Sequence, residues 1–374
     1  MTTRQIGRAA LLPAAAFGVA GLALAMPSAA LEASLRGVAI WWDVLFPALF
    51  PFFVLSELML GFGVVHFAGR LLDPVMRSLF RIPGLGGFVL AMGFVSGYPV
   101  GARMTSRLME QGLIDREQGE RLVVMTTTAD PLFLIGAVCV GFFGNKDAAP
   151  VLACAHYAGA LLVGLPVRHW VRSGFGRDFG TGTGAGAGSS PSRGGKPPGA
   201  GRGFPGVGRL KEAVRAMHLA RMEDGRPAGV LLSDALRSSV RLMIVVGGLV
   251  VFFSMALTLL LESGLLRWLQ ERLGEALEAL GLAGALASAF TQGTLEVTLG
   301  ARAAAADTSV PLMDRVAAAA FVLSWAGFSV HAQVAGLMSR TAWRYAPFVR
   351  ARLLHAVVST LLVYALWPWI GVKN

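Results

Sequence analysis

Two carboxylates stand where a carboxylate is costly. Glu296 lies in an apolar, glycine-broken stretch over 279–301, and Asp130 lies in an apolar stretch over 119–143. Placing a carboxylate within a bilayer costs roughly 2.5 to 3.5 kcal/mol, so such groups usually mark ion or substrate paths. The apolar stretches also carry the hydroxyls of Thr126, Thr127, Thr128, Thr294, Thr298, Ser324 and Ser329, together with Gln333 and His331. Carboxylates able to take a proton or Na⁺, beside hydroxyl and amide donors, predict binding of a polar solute whose movement is coupled to that cation. Plainer roles compete: Glu296 as a helix cap, Asp130 paired with an Arg, His331 in a helix–helix contact. There is no nucleophile, base and orienting group at recognisable spacing, and no metal-ligand cluster. Catalysis, a metal and an organic cofactor are therefore not expected.

The backbone supplies the second half of that chemistry. Gly97-Tyr98-Pro99-Val100-Gly101 sets helix breakers inside the apolar run from Phe88 to Val100. Backbone freed at membrane depth is tolerated only when buried in protein or lining a polar cavity. A second break is expected around Gly293-Thr294-Leu295-Glu296-Val297-Thr298. Each break exposes a half-helix N-terminus, with unpaired N–H groups and about half a unit of positive charge. Two such ends, at Gly97 and Gly293, would each attract an anionic group. Tyr98, Pro99 and Gly101 lie at the turn, and Arg103 is the nearest fixed cation, in direct contact or in a vestibule.

Elements that could hold these residues are membrane spans. Over 374 residues the chain is 55% hydrophobic and 15% charged, with mean hydropathy +0.61, which excludes an ordinary soluble domain. Stretches of spanning length run over 9–31, 38–61, 119–143, 148–170, 236–262, 314–338 and 346–371, with shorter broken ones over 86–104 and 279–301. Arg4 and Arg8 precede the first, and Pro27-Ser28-Ala29-Ala30 resembles a cleavage site. An uncleaved helix acting as a signal anchor fits the nearness of the next span better. Cys139 and Cys154 both fall in apolar spans and are expected as small buried hydrophobes.

A net charge of +11 reads as topology rather than nucleic-acid binding. With the N-terminus in the cytoplasm, 26 of the 33 Lys and Arg residues fall on the inner side, Arg352 among them. Residues 174–208 are rich in Gly, Pro and Ser and lack apolar periodicity, which predicts a flexible basic cytoplasmic linker within 173–228. On either side the same elements recur. A span is followed by an amphipathic surface helix (Leu71, Leu72, Val75, Met76, Leu79 and Phe80; then Leu265, Leu266, Trp268, Leu269, Leu273 and Leu277), a broken stretch, a polar loop and a hydroxyl-bearing span. The expected fold is an all-α polytopic bundle. It comprises an N-terminal helix (1–35), a first repeat (36–172), the linker and a second, inverted repeat (229–374), each repeat with a broken or re-entrant helical hairpin.

Ser96-Gly97-Tyr98-Pro99-Val100-Gly101-Ala102, with Leu45-Phe46-Pro47 through Phe52-Phe53 and Gly84 through Gly93, resembles the sporulation integral membrane proteins of spore-forming bacteria. These belong to a broader nucleoside-recognition, or gate-domain, group whose architecture is similar to concentrative nucleoside transporters. The resemblance spans nearly the whole chain outside the linker and N-terminus. It implies passage of dipicolinate, pyridine-2,6-dicarboxylate, from the mother cell across the outer forespore membrane; for that small aromatic dianion the ends at Gly97 and Gly293 would each face one carboxylate and Tyr98 would stack on the ring. Asp130, where a neutral residue is expected, departs from the pattern. The alternatives are a nucleoside or related heterocycle as the solute, or a non-transporting membrane scaffold for spore formation docked through the basic linker. The partners expected are the lipid bilayer and a small organic anion, with a homo-oligomer compatible with the sequence.

Overall fold

The computed structural model describes residues 3–173 and 205–372, and every regular element among them is helical. The chain opens with α1 (Thr3–Ala25) and α2 (Pro27–Ile40), which meet at 109°. One straight span over 9–31 was the expectation. Pro27 overrides it, because its ring lacks an N–H and clashes with the preceding turn. A π-helical turn, Trp41–Leu45, then joins α2 to α3 (Phe46–Gly61), so the second span begins well before residue 38.

Two parallel sets of elements follow. The first comprises α3, α4 (Val64–Phe80), α5 (Leu85–Ser96), α6 (Tyr98–Glu110), α7 (Arg116–Thr126), a π-helix (Leu132–Phe142) and α8 (Ala149–Ser173). After α9 (Pro205–Asp224) come α10 (Ala228–Glu262), α11 (Leu265–Ala279), α12 (Ala287–Leu295), α13 (Val297–Ala306), α14 (Leu312–Trp325), α15 (Gly327–Met338) and α16 (Tyr345–Ile370). α10 has 35 residues, about 50 Å, which exceeds a hydrocarbon core of about 30 Å. Its first turns, carrying Arg237 and Arg241, therefore stand outside the apolar layer.

Each set contains two interruptions, one more than the sequence predicts. The stretches over 119–143 and 314–338 are each split rather than continuous. α7 stops at Thr126, and residues 127–130 are unwound ahead of Pro131, which disfavours helical geometry at Asp130. α14 stops at Ala326, whose φ of 74° is left-handed and precedes Gly327 at 65°. Arms from the two sets pack reciprocally: α6 lies on α15, and α13 lies on the Leu132–Phe142 π-helix. α8 and α16 pack together behind them, around a shared core that includes Leu152, Leu323, Val334 and Phe348.

The connection between the sets is not wholly the flexible linker expected over 173–228. Its residues 174–204 lie outside the described part, but α9 is a 20-residue helix packed along α4. The contact is tight where Gly63 leaves no room for a side chain: a Cβ there would lie 2.6 Å from the Met217 carbonyl oxygen. Cys139 is buried as expected, whereas Cys154 is exposed, on the outward face of α8.

Candidate functional site

All four interruptions converge on one region. Between α5 and α6 the chain turns at Gly97, with φ of 81°, a value that favours glycine. A Cβ on it would meet the Asp130 Oδ2 atom at 3.1 Å, so the first hairpin tip sits against the break that follows α7. In the second set the turn falls at Glu296, in extended geometry (φ −141°, ψ 126°), and not at Gly293. Gly293 lies inside α12 and serves close packing: a Cβ on Gly300 would come within 2.2 Å of the Gly293 Cα. The Gly327 backbone in turn abuts Leu295 and Val297. Each hairpin tip thus touches the broken helix of its own set.

The carboxylates cap the half-helices that leave the breaks. Glu296 Oε2 accepts from the Leu299 N–H at 2.8 Å, and Asp130 Oδ1 accepts from the Phe133 N–H at 2.9 Å. Such caps satisfy donors that a helix start leaves unpaired. The α6 and α15 N-termini have no side-chain cap. A small cavity of about 50 Å³ lies among these four ends. Tyr98, Pro99, Asp130, Glu296, Thr298, Ser329 and Gln333 all line it. The buried Ser329 hydroxyl has no protein partner, and Tyr98 donates its hydroxyl to the Leu323 carbonyl at 2.9 Å.

Other candidate residues are placed elsewhere. Thr126, Thr127 and Thr294 donate back to the carbonyls of Leu122, Val123 and Phe290. Thr128 donates to the Gly93 carbonyl at 3.4 Å. Gly101 packs against Thr126. Both ring nitrogens of His331 are engaged, by Tyr345 at 2.8 Å and the Trp325 carbonyl at 3.0 Å, so its ring is not among the cavity walls. Arg103 sits away from the cavity, bonded to Ser238 and Glu57. Asp130 is held by backbone, not by an Arg.

The chain has a relative among the membrane proteins of sporulation. The nucleoside-recognition (Gate) family model matches residues 43–146, which hold the first hairpin and Asp130. The sporulation integral membrane protein YlbJ of Bacillus subtilis (strain 168) is 42% identical over 341 residues, covering 91% of this chain and 78% of that protein. The chain belongs to the YlbJ family. A shorter stretch of 121 residues is 30% identical to an uncharacterized protein of Alkalihalophilus pseudofirmus, covering 29% of this chain and 26% of that one. No solved structure matches.

In this YlbJ-family chain, buried polar residues outside the candidate set tie the broken helices together. Arg352, counted from the sequence among inner-side charges, is fully buried on α16. Its guanidinium donates to the Val124 carbonyl at 2.6 Å and to the Thr127 carbonyl. These are acceptors left open where α7 ends, at a helix terminus that favours a cation. His156, fully buried on α8, accepts from the Ala129 N–H through Nε2 at 3.0 Å. Its proton therefore sits on Nδ1, facing Ser324 Oγ at 2.9 Å. Ser324 donates onward to Ser359 at 2.9 Å, and His355 Nε2 donates to the His156 carbonyl at 2.8 Å. The signal for Arg352 was weak: it stands eight residues into α16, two after the exposed Arg350.

Proposed function

We propose that this YlbJ-family protein is a transporter for a small aromatic dianion, dipicolinate, carrying it from the mother cell across the outer forespore membrane during sporulation. The observation that carries the reading is the pairing of helix ends around one cavity. Two N-termini, of α6 and α15, have no side-chain cap, and two are capped by Asp130 and Glu296. Uncapped N-termini attract carboxylates, and Ser329 and Gln333 add donors within the same walls. A dianion cannot sit beside two further charged carboxylates without repulsion. Asp130 and Glu296 therefore take up a proton or Na⁺ when the solute binds, which couples the two movements.

The reciprocal packing of α6 on α15 and α13 on the π-helix supports two inverted repeats. Arg and Lys placement supports a cytoplasmic N-terminus and connecting segment. The test is uptake of radiolabelled dipicolinate into vesicles containing the purified protein, with a nucleoside as competitor. Saturable uptake that Ser329→Ala weakens and the nucleoside leaves untouched supports the dianion. Ready displacement by the nucleoside favours the second reading, a nucleoside or related heterocycle, which the match over residues 43–146 recommends.

A further inference from the structure

Two cavities lie in order along α3, α6 and α10, and a third continues along α3 and α6. The central one is lined by Leu49 of α3, Pro99 of α6 and Val246 of α10. The next, much tighter, is lined by Phe53 and Leu242, one turn further along α3 and α10, and on α6 by Val100 and Met104, and reaches Glu57, Arg107 and Ser238. The third, about 330 Å³, starts at the same Glu57 and Arg107 and widens among Gln111, His66 and Glu223, beneath α9. Residues at three- and four-residue spacing share one helix face. These neighbouring pockets trace one narrow groove from the site, along α3 and α6, toward a mouth roofed by α9.

An ion cluster stands where the second and third cavities join. Two guanidiniums share a single carboxylate: Glu57 is 3.5 Å from Arg103 and 3.3 Å from Arg107. Both distances exceed the roughly 2.7–2.9 Å of a tight charge-assisted pair. The two arginine side chains stay one-third exposed, at 33% and 34%. Ser238 completes the cluster, accepting from Arg103 at 2.8 Å and donating to Glu57 at 3.2 Å. The carboxylate is loosely held and the cluster keeps an excess positive charge, an arrangement suited to exchanging Glu57 for another carboxylate.

We propose that Arg103 and Arg107 form an anion-selecting relay: they receive the carboxylates of an incoming dicarboxylate in place of Glu57 and pass it along the groove to the central cavity. The proposal rests on the dianion reading above. Its test uses the full chain in lipid vesicles with Cys139→Ala, Cys154→Ala and Ser238→Cys, modified by an anionic or a cationic methanethiosulfonate. The anionic-to-cationic rate ratio should fall about tenfold when Arg103→Gln and Arg107→Gln are added, the lower range of charge-steered encounter. It should rise with Glu57→Gln, and a general loosening of the fold would not move the two in opposite directions. Dipicolinate uptake should show a raised KM with Vmax retained in the arginine variant. An unreactive thiol at 238, or one ratio across all three proteins, overturns the relay. Charge selection at 238 without any dipicolinate uptake keeps the relay and overturns the substrate reading instead.

Discussion

His156 and Ser324 lie 168 positions apart, yet the Nδ1 and Oγ atoms are 2.9 Å from each other. On its other side the same imidazole holds the Ala129 N–H, next to Asp130. One side chain of α8 thus binds the unwound segment after α7 and the last turn of α14, joining the interruptions of both sets. Removing it with His156→Leu orphans a buried donor and disturbs the Ser324–Ser359 pair. About 2–4 kcal/mol of stability should go, at 1–3 kcal/mol for each unsatisfied group. Thermal unfolding in detergent measures this, and His156→Gln, which keeps an acceptor, should recover part of the loss. An unchanged melting temperature in His156→Leu would remove the bridge from the account.

Glu296 has two separable roles. Glu296→Gln retains an acceptor for the Leu299 N–H and should melt near wild type while uptake loses its dependence on proton or Na⁺ gradient. Glu296→Ala should lose in addition about 1 kcal/mol of capping. Gradient-dependent uptake by Glu296→Gln would rule out cation coupling at this carboxylate.

Hairpin packing predicts a contrast between two glycines. A Cβ on Gly300 would lie 2.2 Å from the Gly293 Cα, whereas one on Gly248 meets nothing within 4 Å. Gly300→Ala should cost about 1–3 kcal/mol, as overpacking does, and Gly248→Ala should stay within about 1 kcal/mol. Melting curves of the two variants side by side decide the point.

Docking of α9 on α4 should weaken in acid. Burial holds the His66 imidazole below its ordinary value of 6.5, opposed in part by Glu223. The unfolded chain then binds a proton that the folded one resists, so this contribution is full above about pH 6.5 and shrinks as pH falls below it. Hydrogen exchange across α9 should speed up between about pH 7 and 5, and His66→Gln should flatten that dependence.

Some of this architecture is legible in the sequence for definite reasons. The amphipathic helices α4 and α11, and the long helices α8, α10 and α16, announce themselves through apolar spacing and length. The Gly97 turn is legible because glycine beside Tyr98-Pro99 admits no continuous helix. Gly293 misleads, since its absent side chain serves helix approach while the actual turn uses Glu296. Nothing in the identity of Ala326 suggests a left-handed backbone, and that conformation is fixed by tertiary packing. Arg352 was misplaced because counting charge by chain position cannot tell a loop arginine from one turned into the core. Of the candidate site, the seven cavity-lining residues follow from unusual chemistry in apolar runs; the hydroxyls bonded to their own helices look the same in sequence.

The contact of Gly293 with Gly300 has a mechanical consequence. With no gap between its arms, the α12–α13 hairpin behaves as a single wedge with no hinge inside it. In the transport cycle proposed above, exposure of the cavity to alternate sides therefore requires the wedge to move whole, and together with α14, since a Cβ on Gly293 or Gly300 would also meet Val322 at 2.5 or 2.9 Å. A spin-label pair across the two arms should hold one distance through the transport cycle, while a pair from α13 to α8 should show two.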